Sequence, residues 1–296
     1  MESFSKSGSR PAITAEAAGL KDLAEAAVHG AGAPVVRLLN AASTTITTAR
    51  LMPDSPTATA AEAFGRLLAH THAYSPHGRV FGERPTGFTE LTAAIGNAPL
   101  PVVPHGSPAR TWGSFYAEDR LLPYLPTARA NGSIDARGAN IIERLAEQLR
   151  DGAFDAPEPA LVTSEAALLH GDLWGGNILW STPESARESA ILPPDFNKAA
   201  ATAHTTASHH APGGAVAVLI DPACQGGHAE SDLAQLRVFG APYVNRIVAA
   251  YNEVSPLSNG WEERIGLHQL HMLIVHAALF GGGYGTETIE IASRYC

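Results

Sequence analysis

LLHGDLWGGNILW, residues 168 to 180, sets His170, Asp172 and Asn177 between two apolar runs. A chain that is hydrophobic on both sides breaks off for one aspartate, a glycine-rich turn and one asparagine. The second apolar run, NILW (177–180), is strand-like, and so is AVAVLID (215–221). If the two pair as an antiparallel hairpin, the start of the first lies beside the end of the second, and Asn177 meets Asp221. The long connection between them hardly matters, because closure entropy grows only logarithmically with loop length.

An amide oxygen and a carboxylate converging on one point make a hard-oxygen site suited to Mg2+. Asp172 stands on the turn just before it. H-x-D-x-x-x-x-N followed by a strand ending in Asp matches the set used in phosphoryl transfer: Asp172 as base for an acceptor hydroxyl, Asn177 and Asp221 as metal holders. The plainer reading of an aspartate on a turn is a local backbone cap, and an isolated H-x-D carries little weight. The full constellation favours kinase-type chemistry.

The 296 residues carry a formal net charge of -9, 45% hydrophobic residues and 17% charged residues. Such a chain can bury a sizeable core, as one large or two modest domains. The acidic balance leaves no electrostatic footprint for nucleic acid, and no Lys/Arg cluster reads as a membrane-surface patch. A small molecule is the expected partner. The first residues have no apolar core of signal-peptide length, and the late stretch LHQLHMLIVHAALF is interrupted by His268, His271 and His276. The expectation is a soluble, cytoplasmic protein. Cys224 and Cys296 are too few for a disulfide framework or a structural zinc site.

Along the chain, residues 14–27 read as a helix capped by Thr14, with Glu16 on the face that Leu20 and Leu23 bury. A carboxylate there demands a partner. PVVRLLN and TTITTARLM read as a hairpin, and PDSP places a domain boundary near residues 52–56. A helix with Phe64, Leu67, Leu68 and Thr71 on one face follows, then a Pro- and Gly-rich stretch, 75–110, that reads as loop. Another helix ends at Gly152. Residues 181–215 read as a flexible insertion, with His204, His209 and His210 as incidental composition rather than a metal tract. The tail from Ser231 reads as helices separated by SPLSNG and ended by GGGYG.

LLHGDLWGGNILW, VLIDPACQGGHAESDLAQLRVFG (218–240), HQLHMLIVHAALFGGGYG (268–285) and WGSFYAEDRLLPYL (112–125) together resemble the fructosamine kinase (ketosamine 3-kinase) family, relatives of aminoglycoside and choline kinases within the protein-kinase-like fold. The Trp after D-L, the D-P-A and the G-G-H-x-E-x-D-L-A are its more particular marks. The resemblance implies an α+β, two-lobe fold: a truncated nucleotide-binding lobe over residues 1–53 and a mainly helical lobe over 54–296. It implies ATP and Mg2+ as cofactors, and as substrate a ketosamine, the adduct of a reducing sugar with an amine, phosphorylated on a sugar hydroxyl.

Residue by residue, the resemblance makes Asp172 the catalytic base and Asn177 and Asp221 the metal holders. Trp174 matches an aromatic of the sugar-amine pocket, against the alternative of an ordinary core indole. His228 and Glu230 are pocket or structural residues, and Asp232 braces the catalytic loop's backbone. FSKSGSRPAITAEAAGL (4–20) resembles the family's strand and helix whose Lys and Glu grip the ATP phosphates, so Lys6 and Glu16 match that pair. The family's glycine-rich loop lies before that lysine, and only five residues precede Lys6 here. Two alternatives stand beside ketosamine phosphorylation: another small-molecule kinase of aminoglycoside or choline type, and a kinase-like remnant that binds without turnover.

Overall fold

The computed structural model describes residues 2–194, 196 and 214–296. Strand β1 (Ser3–Ser7) leads into the long helix α1 (Arg10–Gly30). Its cap is Ser9, whose hydroxyl accepts from the Ala12 amide, and Pro11 occupies the first turn, where no N–H is needed. The expected start at Thr14 is therefore one turn late: Thr14 sits inside the helix, its hydroxyl donating to the Arg10 carbonyl at 2.7 Å.

The hairpin expected before residue 52 divides between two sheets. β2 (Val35–Val36) is buried and separate, whereas β3 (Leu38–Ala41) and β4 (Thr45–Ala49) pair antiparallel, with a bulge between Leu38 and Asn40. β1 adds to the other side of β4, Lys6 opposite Ile46, giving a three-stranded sheet in the order β1-β4-β3.

Helix α2 (Ala58–Ala73) is capped by Thr57 and buries Phe64, Leu68 and Thr71. The stretch 75–110 is not all loop. Thr92–Ile95 (β5) and Ala98–Pro101 (β6) form a hairpin closed by Gly96 at φ +55° and Asn97, a left-handed start that favours glycine. Helix α3 (Trp112–Phe115) runs on through a π-helical turn, Tyr116–Leu121, and α4 (Leu125–Ala130) and α5 (Ala136–Arg150) follow. α5 ends where expected, at Gly152 with φ +76°.

β7 (Ala167–Leu169) precedes the motif and β8 (Ile178–Ser181) follows it. The insertion expected over 181–215 has ordered ends: Ser181 closes β8, Pro183–Ser189 is helix α6, and Ala190–Ile191 is β9. These residues are held because β9 pairs with β2 and the Ser185 hydroxyl accepts the Met52 amide. Residues 195 and 197–213, including His204, His209 and His210, lie outside the described residues.

β10 (Val216–Leu219) pairs antiparallel with β8, Leu219 opposite Ile178, and parallel with β2, so the second sheet runs β8-β10-β2-β9. β11 (Gln225–Gly227) pairs with β7. Helices α7 (Ala229–Val238), α8 (Val244–Val254), α9 (Trp261–Phe280) and α10 (Gly283–Ala292) complete the chain. GGGYG thus separates the last two helices rather than ending the helical part, because Gly281 and Gly282 take positive φ and Gly283 opens α10.

One apolar core joins Ile13, Leu20 and Ile46 with Phe64, Leu169, Ile178 and Val218, running across residue 53. A second gathers α3, α5 and α9 around Tyr116, Leu145 and Leu273. The segment 168–180 lies over the first core, and α7 backs it.

Candidate active site

The turn from His170 to Asp172 is held from behind by α7. Asp232, fully buried, accepts the His170 amide at 2.7 Å and the Gly171 amide at 3.0 Å. Its Oδ2 also receives His72 Nε2 at 3.2 Å, and His72 Nδ1 meets the Tyr251 hydroxyl at 3.0 Å. One turn on, Gln235 Oε1 accepts the Leu173 amide at 2.8 Å. Gly171 has φ +82°, and a Cβ there would run into the Ala223 carbonyl, so a side chain is excluded twice over. His170 is a structural pin: its Nε2–H donates to the Ile220 carbonyl at 2.8 Å, which leaves Nδ1 to accept the Asp172 amide at 3.3 Å.

Asp172 therefore emerges from a turn whose backbone N–H groups are nearly all tied down. Asn177 Nδ2 donates to its Oδ2 at 2.9 Å and to its carbonyl at 2.7 Å. Burial pushes the Asp172 carboxyl up from its ordinary pKa, opposed in part by His170 and by the Asn177 hydrogen bond. The β8–β10 ladder continues one step past Leu219, where the Ile220 amide donates to the Asn177 carbonyl at 3.1 Å. Asn177 and Asp221 consequently share one end of that hairpin.

Asp221 has φ +53°, a conformation that residues with a Cβ rarely adopt. Its carboxylate meets Lys6 Nζ at 2.9 Å, and the same ammonium meets Glu16 Oε2 at 3.0 Å. β1 thus delivers its lysine between a carboxylate from α1 and one from the end of β10. Burial lowers the Lys6 pKa, but Glu16 and Asp221 more than offset it and the net shift is upward. Burial raises the Glu16 carboxyl, countered by Lys6. Glu16 Oε1 is buried without a partner, while the Asp221 side chain stays 41% exposed. The partner that a carboxylate on the leucine face demanded is Lys6.

Trp174 is 38% exposed and meets Phe239 edge to face at 6.0 Å. Phe239 packs on His276 at 4.9 Å, and His276 on Tyr284 at 5.1 Å. This open aromatic wall flanks Asp172, whose titration His276 influences. His276 and Tyr284 were not singled out for the site in the sequence. Their signal was the helix-to-GGGYG junction, which folds Tyr284 back onto α9.

His228 is not brought to this cluster. It is 1% exposed, caps α7 through the Glu230 amide, and its ring meets the Ala156 carbonyl at 3.3 Å and His268 at 5.2 Å. Glu230 lies beside it in a paired arrangement with Arg264, at 2.6 and 2.9 Å. No helix among the described residues is long and apolar enough to cross a membrane.

Residues 4–295 match a family model described as fructosamine kinase. Among curated proteins, the chain is 28% identical over 240 residues to the chloroplastic protein-ribulosamine 3-kinase of Arabidopsis thaliana, 78% of this chain and 56% of that one. It is 29% identical over 222 residues to a candidate ketoamine kinase of Escherichia coli, 74% and 57% respectively. The chain spans about half the length of the curated relatives it matches. A solved chain from Thermobifida fusca, named as a candidate fructosamine-3-kinase, superimposes with a TM-score of 0.75 at 34% identity, covering 99% of this chain and 85% of that one.

Proposed function

Because the chain belongs to the fructosamine kinase family, we propose that it is an ATP-dependent phosphotransferase that phosphorylates a sugar hydroxyl of ketosamines, fructosamines or ribulosamines borne on an amine. The observation that carries this reading is the convergence, from four separate segments, of Lys6, Glu16, Asp172, Asn177 and Asp221 at one end of the β8–β10 hairpin.

The donor set suits a magnesium nucleotide. Asn177 spends its NH2 group on Asp172, which leaves its amide oxygen free to face a cation, and Asp221 offers a half-exposed carboxylate beside it. When bound, Mg2+-ATP supplies the transferable phosphoryl group and neutralises its charge. Asn177 and Asp221 would hold the metal, and Lys6, oriented by Glu16, would contact phosphate oxygens. Asp172 orients the acceptor hydroxyl and takes its proton, and its raised pKa makes it a better base than an ordinary aspartate. The exposed wall of Trp174, Phe239, His276 and Tyr284 supports a pocket for the sugar-amine, open enough for an amine carried on a larger molecule. His228 lies away from this wall and serves α7 as its N-terminal cap.

Residues 1–53 form the nucleotide-side lobe of this reading and 54–296 the acceptor-side lobe. Free thiols at Cys224 and Cys296 suit action in the reducing cytoplasm. The test is ADP release with Mg2+-ATP and a panel of ribulosamines and fructosamines, with Asp172→Asn alongside. Ketosamine-dependent release that disappears in a variant with unchanged circular dichroism is the expected result. Wild-type-like turnover in Asp172→Asn overturns the assignment of the base, and silence across the panel overturns the substrate class.

A further inference from the structure

Arg120, on the π-helical turn after α3, is 2% exposed. Nη1 donates to the carbonyls of Pro101 and Asp119, Nη2 meets Gln225 Oε1, and the guanidinium lies 4.5 Å from the Phe115 ring centroid. Nε has no partner. Among the described residues no carboxylate lies within ion-pair distance of Arg120, and the neighbouring Asp119 carboxylate is taken by Arg110. Burial pushes the Arg120 pKa down to about 10, which still leaves it a cation at neutral pH. An unpaired buried cation is costly, by several kcal/mol in general.

Beside Arg120 is a small cavity, also lined by Gln225, Gln235, Ser231, His271 and Gly171, with about 10 Å³ of room for the centre of a water-sized sphere. That is space for one occupant. The amide oxygens around it are committed: Gln225 Oε1 to Arg120, and Gln235 Oε1 to the Leu173 amide. Gln225 is left with its NH2 group, the Gln235 NH2 group donates to the Gly171 carbonyl at 3.5 Å, and the Ser231 hydroxyl is shared with His268 Nδ1. The polar part of the wall therefore offers the Arg120 charge and the Gln225 NH2 group, beside Ser231 and His271, and Phe115, Tyr116 and Leu169 make up the rest. A water must place two protons as well as accept them, whereas an anion needs donors alone.

We propose that this cavity binds one monovalent anion of halide size, chloride in the cell, as the counter-ion of Arg120. The anion sits beneath the catalytic turn, since Gly171 is part of its wall and Asp172 is the next residue. Occupancy therefore stiffens the turn that carries the base, whatever acceptor the enzyme uses.

Three measurements on the full chain test it. The melting midpoint is followed in sodium chloride, bromide and gluconate at matched ionic strength, and a crystal grown in bromide is searched for anomalous scattering. Gln225→Glu, which places a carboxylate against the Arg120 guanidinium, provides an internal counter-ion. The expected result is a saturable rise in midpoint with either halide and not with gluconate, a bromide peak beside Arg120, and loss of the halide response in Gln225→Glu. Equal behaviour in all three salts, or bromide peaks confined to the surface, overturns the proposal and makes the occupant water. A halide response that persists unchanged in Gln225→Glu also overturns it, because the stabilising ion then binds elsewhere.

Discussion

Asp232→Asn tests how the catalytic turn is held. The carboxylate accepts two backbone N–H groups, from His170 and Gly171, and a third hydrogen bond from His72. An amide retains one acceptor oxygen and turns an NH2 toward one of those donors. One hydrogen bond to a charged group is lost, about 1.5–3 kcal/mol, and one buried N–H is left unpaired, about 1–3 kcal/mol. Together they come to roughly 2.5–6 kcal/mol, or a fall of about 5–12 °C in melting midpoint at about 2 °C per kcal/mol for a chain of this size. The turn carries Asp172, so kcat should fall with the midpoint while KM for Mg2+-ATP stays near its parent value. His72→Leu removes one donor from the same carboxylate, so the double variant should lose less than the two single losses combined. Differential scanning calorimetry and initial-rate kinetics read both quantities. An Asp232→Asn protein that melts within about 2 °C of the parent and turns over normally would refute the bracing role.

Glu230→Gln should destabilise by about 3–5 kcal/mol at neutral pH, because it replaces a buried carboxylate and leaves the partly buried Arg264 cation without its charged pair. Burial alone would raise the Glu230 carboxyl, but hydrogen bonds from His268 and Arg264 outweigh it and hold it below the carboxylate range. A depressed folded pKa gives stability that is complete above the unfolded value, about 4.3, and is lost as pH falls through the folded one, so urea midpoints of parent and variant should converge in acid. Gly65→Ala puts a Cβ onto the Ile247 carbonyl at the α2–α8 crossing and should cost about 1–3 kcal/mol with KM unchanged, read by urea unfolding and kinetics. The acid limb of kcat against pH should lie above the ordinary aspartate value of about 3.9, because Asp172 must be ionised to accept a proton and its pKa is raised; a limb at or below that value contradicts the buried base.

The parts of the fold legible in the sequence are those set by local pattern. The β8–β10 pairing followed from two apolar runs and the rule that antiparallel strands join opposite ends, and the structure pairs Leu219 with Ile178 as that requires. What was not legible was assignment among sheets. Val35–Val36 looks continuous with Leu38–Ala41, yet one residue between them separates two sheets, a choice made by β10 and β9 rather than by the segment itself. The hairpin at 92–101 was hidden for a related reason: prolines at 99 and 101 argue against a strand, but two short strands around a Gly-Asn turn tolerate them.

The site divides along the same line. Asp172, Asn177 and Asp221 lie within one hairpin, so spacing and strand direction were enough to bring them together. Glu16 announced itself as a carboxylate out of place on an apolar face, and Lys6 is the cation that the mismatch called for. His228 was open between a pocket and a structural role, because its sequence neighbourhood does not show that its position at the cap of a buried helix turns the ring inward. His72 gave no signal at all: it ends an ordinary amphipathic helix, and only the crossing of α2 with α8, set by Gly65, brings it between Tyr251 and Asp232. Side chains proposed to act on substrate can be read from their motif; those that hold the motif in place come from wherever the packing delivers them.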